Sequence, residues 1–145
     1  MELFIKNFSE LSLDELWQIL KVRADVFIVE QNCAYQDIDE YDKLAYHLFY
    51  TDEGEITAYL RVLPQNTFFE TPSIGRVLSV RRRQGLASQL VSEGIKVAKE
   101  KLNADKITIE AQTYVKEMYE KLGFIQTSDE FLDVGIPHVK MELNL

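Results

Sequence analysis

The chain has one cysteine, Cys33, so no disulfide can form within it, which fits a reducing cytoplasm. It has only two histidines, His47 and His138. With Cys33 they make three soft ligands, far apart and without a Cys-x-x-Cys pair, an arrangement that argues against zinc. Three prolines and six glycines are scattered singly, so no linker, repeat or low-complexity tract divides the sequence. Apolar runs are only a few residues long, which leaves no membrane span. The first ten residues, "MELFIKNFSE", carry acids early and lack a secretory pattern. Positive charge is in short supply: the formal net charge is -8, and a phosphate backbone would be repelled except at a local basic patch. We therefore expect neither nucleic acid nor membrane as a partner.

What is present suits one globular domain over residues 1–145 with a substantial core. "LFIKNF" predicts a strand. Ser12 and Glu15 form a capping box for a helix with Leu13, Leu16, Trp17, Leu20, Val26 and Phe27 on one face. "AYHLFYT" and "ITAYLRVL" predict a hairpin turned by "DEGE", and "SIGRVLSV" a further strand. Apolar spacing from Gly85 to about Leu102 predicts a helix, "KITIEAQ" a strand, "YVKEMYEKLG" a short helix closed by Gly123, and "HVKMELNL" a final strand. The order is β-α-β-β-β-α-β-α-β with one more strand near Phe124, an α/β domain built on a single mixed sheet of about six to seven strands flanked by helices. Arg61 and Arg76 lie on apolar strands, where a charge needs a buried acid as partner.

The scarce positive charge is concentrated. "SVRRRQGLASQL", residues 79–90, places Arg81, Arg82 and Arg83 between a strand and a helix start. Unpaired N–H groups and the helix dipole make such a start an anion site, and Gly85 has no Cβ to keep an anion away. Arginine forks match phosphate oxygens. A P-loop and the usual dinucleotide fingerprint are both absent. A solvated basic turn is the plainer alternative.

Arg82-x-x-Gly85-x-Ala87 resembles the [Q/R]-x-x-G-x-[G/A] motif of the GNAT N-acetyltransferases. Gln112, Tyr119, Gly123 and Phe124 in "QTYVKEMYEKLGF" are similar to that superfamily's second signature. "VFIVEQNCAYQDIDEYD", "IGRV" and "GIPHVKM" resemble the ElaA-type members, so the likeness spans nearly the whole chain. It implies the GNAT fold, acetyl-CoA as donor, and direct acetyl transfer to an amine-bearing small-molecule or peptide acceptor. It also implies a coenzyme A site made of Leu78, Ser79, Val80, Arg82, Arg83, Gln84, Gly85, Leu86, Ala87, Ser88, Gln112 and Tyr119. Tyr119 is the implied general acid for the departing thiolate, and a strand N–H near Ser79 or Val80 the implied oxyanion donor. The sequence departs from the family in two places. The connection from "IGRV" to the loop arginine is short, which leaves open which of Leu78, Ser79 and Val80 faces the pantetheine arm. Arg83 stands where glycine is common.

The acceptor side is read from the residues themselves. Glu30 follows the apolar "VFIV", so a half-buried carboxylate with a raised pKa is expected there as general base. With Asp39, His47 and His138 it is expected to bind the acceptor. The plainer readings are a solvated acidic loop and structural strand histidines. "QDIDEYD" fails as a calcium loop, since Asp42 stands where glycine is needed and Leu48 where glutamate is needed. Cys33 has no base beside it for nucleophilic work. A non-catalytic acyl-CoA-binding or regulatory module, and an acidic domain that binds a basic protein, compete with the enzyme. The oligomeric state is open, a homodimer included.

Overall fold

The computed structural model describes residues 1–145. Strand β1 (Glu2–Asn7) leads to helix α1 (Leu13–Arg23), capped as expected: Ser12 Oγ accepts from Glu15 N at 3.1 Å, and Glu15 Oε1 accepts from Ser12 N at 2.8 Å. The helix runs on as a wider π-helical turn over Ala24–Glu30. Then come β2 (Tyr46–Asp52), β3 (Glu55–Leu63) and β4 (Ser73–Ser79), which with β1 make an antiparallel sheet in the order β1-β2-β3-β4. The "DEGE" turn between β2 and β3 holds Glu53 and Gly54 at φ 51° and 81°, the left-handed pair that a tight hairpin requires. Helix α2 (Leu86–Leu102) buries Leu86, Leu90, Val91, Val97 and Ala98 against this sheet. At Gly94 an added Cβ would lie 3.2 Å from Ile74 Cδ1 and 3.3 Å from Leu60 Cδ1, so helix and sheet approach closely there.

Strand β5 (Lys106–Gln112), helix α3 (Lys116–Lys121), β6 (Ile125–Gln126), β7 (Phe131–Asp133) and β8 (Ile136–Asn144) complete the chain. In this second half β5 and β6 flank β8, and β7 also pairs with β8. The α/β architecture is the expected one. The expected single sheet, however, is parted into two four-stranded halves, with eight strands in all. The strand expected near Phe124 is β6, and the one beyond the expected seven is β7, too short to show a period. The halves touch where β4 and β5 begin: Thr108 N donates to Pro72 O at 3.1 Å, and the Thr71 and Thr108 hydroxyls lie 2.6 Å apart. Beyond that point β4 and β5 bond to different neighbours and a cleft opens between them.

The first helix turns only part of its predicted face inward: Val26 and Phe27 are buried and Leu16 and Leu20 half-buried. Leu13 and Trp17 are 88% and 62% exposed, whereas Ile19 and Arg23 are fully buried. A charged residue holds a core position because aspartates reach it from the next loop. Arg23 Nε bonds Asp37 Oδ2 at 3.0 Å and Nη1 bonds Asp42 Oδ1 at 2.7 Å. Arg61 on β3 bonds both Asp39 oxygens, at 2.6 and 2.9 Å, and Asp42 Oδ1 at 2.9 Å. Arg76 on β4 pairs with Asp37 Oδ1 at 2.8 Å. Arg61 and Arg76 thus find the acids that their strands demanded.

Candidate active site

The cleft between β4 and β5 has a volume of about 740 Å³. Both half-sheets line it, and so do the π-helical turn through Val26 and Phe27, the start of α2, and α3. Its β4 wall is shaped by a bulge. Tyr59 faces Leu78 and Arg61 faces Gly75, so Arg76 and Val77 together oppose Leu60. Such a bulge takes backbone groups out of the ladder and turns them elsewhere. Arg76 absorbs the kink at φ 53°, a conformation that costs any residue other than glycine. The neighbouring Gly75 does not adopt it. The Arg76 guanidinium, tied to Asp37 and donating to the Asp37 carbonyl at 2.9 Å, holds the kink in place.

At the mouth, Ser79 Oγ donates to Arg81 O at 2.9 Å and turns the strand into the loop. Arg83 and Gly85 both adopt left-handed φ, 63° and 72°. Gly85 is the N-cap of α2, and no side chain caps the helix, so its first N–H groups lack partners. A Cβ built on Gly85 finds nothing closer than Gln89 Nε2 at 4.0 Å. The space over the helix start is open, as an anion cradle needs.

Of the residues named for coenzyme A, Leu78, Ser79, Arg82, Arg83, Gly85, Leu86, Ala87, Ser88, Gln112 and Tyr119 line the cleft. Val80 and Gln84 do not. The Val80 side chain is exposed, and its N–H already donates to Thr57 O at 2.9 Å, which rules it out as the oxyanion donor. Two of the three loop arginines hold carboxylates: Arg81 pairs with Asp52 at 2.7 Å, and Arg82 with both oxygens of Glu30 at 2.8 and 2.7 Å. Tyr119 is buried, packs edge-on against Phe124 with ring centroids 5.7 Å apart, and has its phenol pKa pushed up by burial.

The acceptor residues divide. Glu30 is half-exposed at the rim and bound to Arg82, so the burial expected to make it a base is missing. Asp39 lines the cleft, but its charge is committed to Arg61: burial works against the carboxylate, and the Arg61 hydrogen bonds outweigh it and keep the pKa below the usual range. His47 does not reach the cleft. It is buried, its Nε2 donates to Asp42 O at 2.8 Å, and its Nδ1 accepts from the Tyr59 hydroxyl at 2.7 Å. Burial lowers its pKa and keeps it neutral, so it is a structural residue. His138 does line the cleft, and so do two carboxylates that the sequence reading passed over, Glu110 on β5 and Asp133 at the end of β7. Within "KITIEAQ", Glu110 reads as the solvent side of a strand. Its pKa is raised by burial and by Asp133, against His138 and Lys140. Only the parting of the sheet, invisible in the sequence, turns it to a cleft.

A parted sheet with a bulged wall and an uncapped helix start belongs with known proteins. Residues 14–145 match the model of the acetyltransferase (GNAT) domain. The chain belongs to the GNAT acetyltransferase family. It is ElaA-type: it is 34% identical to protein ElaA of Escherichia coli over 139 residues, 93% of this chain and 91% of that one. The crystal structure of Escherichia coli ElaA superposes with a TM-score of 0.92 at 31% identity, covering 99% of each chain. That of an acyl-CoA N-acyltransferase from Pseudomonas aeruginosa gives 0.91 at 32%, again over 99% of each. Family membership makes the protein an acyltransferase, and no helix of this GNAT chain is long and apolar enough to cross a membrane.

Proposed function

We propose that the protein, as one domain, is an acetyl-CoA-dependent N-acetyltransferase that passes the acetyl group directly to an amine. The observation that carries this reading is the uncapped start of α2, opening at the mouth of the cleft. Unpaired N–H groups of Leu86, Ala87 and Ser88, the bare face of Gly85 and the Arg82 and Arg83 side chains suit a pyrophosphate there. The cleft gives an extended thioester arm a path along Leu78 and Ser79. Acetyl-CoA supplies an activated carbonyl. A backbone N–H of the Arg76–Val77 bulge replaces Val80 as the oxyanion donor. Tyr119 protonates the departing thiolate, and burial of its phenol favours keeping that proton until the transfer.

Acetyl-CoA should bind in calorimetry and more weakly as salt rises. Tyr119→Phe keeps the ring and loses one donor, so kcat should fall about 10²–10⁴-fold with KM for acetyl-CoA nearly constant. The raised phenol pKa places the alkaline limb of wild-type activity above the ordinary tyrosine value, and the variant should lack it. Turnover by the variant within about twofold of wild type leaves Tyr119 as packing. Acetyl-CoA binding without transfer to any amine favours the acyl-CoA-binding module instead.

A further inference from the structure

Glu110, Asp133 and His138 meet on the β5–β8 side of the cleft. His138 is only 8% exposed. Its Nδ1 lies 2.7 Å from Ile136 O. A carbonyl only accepts, so Nδ1 carries the hydrogen and Nε2 of the neutral ring keeps its lone pair. No protein group bonds Nε2, and the ring stacks on Phe131 with centroids 6.1 Å apart and planes tilted by 24°. Glu110 has no hydrogen-bonded partner, and Lys140, its opposite number on β8, instead sits over the Phe69 ring at 5.5 Å. Two carboxylates and one open imidazole nitrogen therefore face the cleft without protein partners to satisfy them.

We propose that Glu110, Asp133 and His138 form the acceptor pocket, and that it takes a primary amine with an apolar body and no carboxylate beside the nitrogen. This rests on the acyl-transfer reading. The carboxylates attract an ammonium, and they repel an acid group carried a few ångströms from it. Val134, half-exposed at the rim, and Ile136 offer the body an apolar seat. His138 Nε2 takes one proton from the ammonium, and Glu110 and Asp133 stabilise the imidazolium. The nitrogen lone pair forms the C–N bond to the thioester carbon, the C–S bond breaks, and the sulfur leaves with the Tyr119 proton. The new amide nitrogen sheds its extra proton, which restores the phenol. The imidazolium releases its own to solvent, so one proton leaves per turnover.

Phenethylamine and phenylalanine differ only by the carboxylate and make a matched pair of probes. With acetyl-CoA, phenethylamine should be used at least about tenfold better in kcat/KM, and Asp133→Asn should shrink that ratio. His138→Gln should lose the acidic limb of the kcat/KM profile while acetyl-CoA affinity holds. In wild-type protein without acetyl-CoA, phenethylamine should shift the His138 ring resonances and phenylalanine should not. Equal use of the two amines, a preference for phenylalanine, or unmoved His138 resonances overturns the pocket. Should acetyl-CoA fail to bind while phenethylamine still shifts His138, the acyl-transfer reading fails and the amine pocket stands.

Discussion

Two groups of three arginines on this fold lead opposite lives. Arg23, Arg61 and Arg76 are drawn into or near the core, where Asp37, Asp39 and Asp42 match them charge for charge. Arg81, Arg82 and Arg83 stand at the cleft mouth on an exposed loop. Arg81 and Arg82 hold single carboxylates at the surface, and Arg83 is held by none. The first group is scattered through the sequence and gathered by the fold; the second is contiguous and left open. Clustering along the chain is thus a poor guide to clustering in space: the scattered group is matched by carboxylates in the fold, whereas the contiguous one keeps Arg83 unpaired.

Removing one carboxylate from the saturated group should have the largest effect on stability. Asp42→Asn strips charge from between buried Arg23 and Arg61, at a cost of about 3–5 kcal/mol and about 10–15 °C in melting temperature. The pH dependence follows the same carboxylates. Burial opposes the charge on Asp42, and Arg23 and Arg61 more than offset that, so the folded pKa lies below the unfolded one. The stability it contributes is therefore complete above about pH 4 and lost as pH falls through the folded value. Acid titrations followed by circular dichroism should show a shallower slope for Asp42→Asn. A variant melting within about 2 °C of wild type would mean that the network is incidental.

A sharper test uses glycine at the two arginines with positive φ. Arg76 and Arg83 sit at 53° and 63°, and glycine relieves the backbone at both. Arg76→Gly also discards the ion pair to Asp37 and should cost about 1–3 kcal/mol. Arg83→Gly discards nothing comparable and should be neutral or stabilising by about 0.5 kcal/mol, the smallest change expected. Urea denaturation of both variants reads the difference directly, and equal shifts of one sign would erase the distinction between the groups.

Local chemistry was legible in advance. The Ser12 capping box, the Glu53–Gly54 turn, the buried stripe of α2 and the open Gly85 start of that helix each rest on residues close together in the chain. What stayed hidden depends on long-range pairing. Arg23 reads as the solvated end of a helix until Asp42, nineteen residues on, is seen to reach it. The β4 bulge falls on Arg76 beside a glycine that would have been the natural suspect. Glu30 has the apolar flank of a buried base and yet faces water. His47 and His138 look alike on their strands, and only the fold shows one closed at both nitrogens and the other open at one.

The parted sheet has a mechanical consequence. Wherever β4 and β5 have separated, the two walls of the cleft share no rungs, and a molecule that spans them acts as a removable brace. At a hundredfold excess over its Kd such a brace adds about 2.7 kcal/mol to global stability. Its signature would be slower amide exchange on both walls at once, in β5 as well as β4, although the two strands belong to separately bonded halves. Substrate and scaffold then share one task, and the protein is stiffest at the moment its chemistry is due.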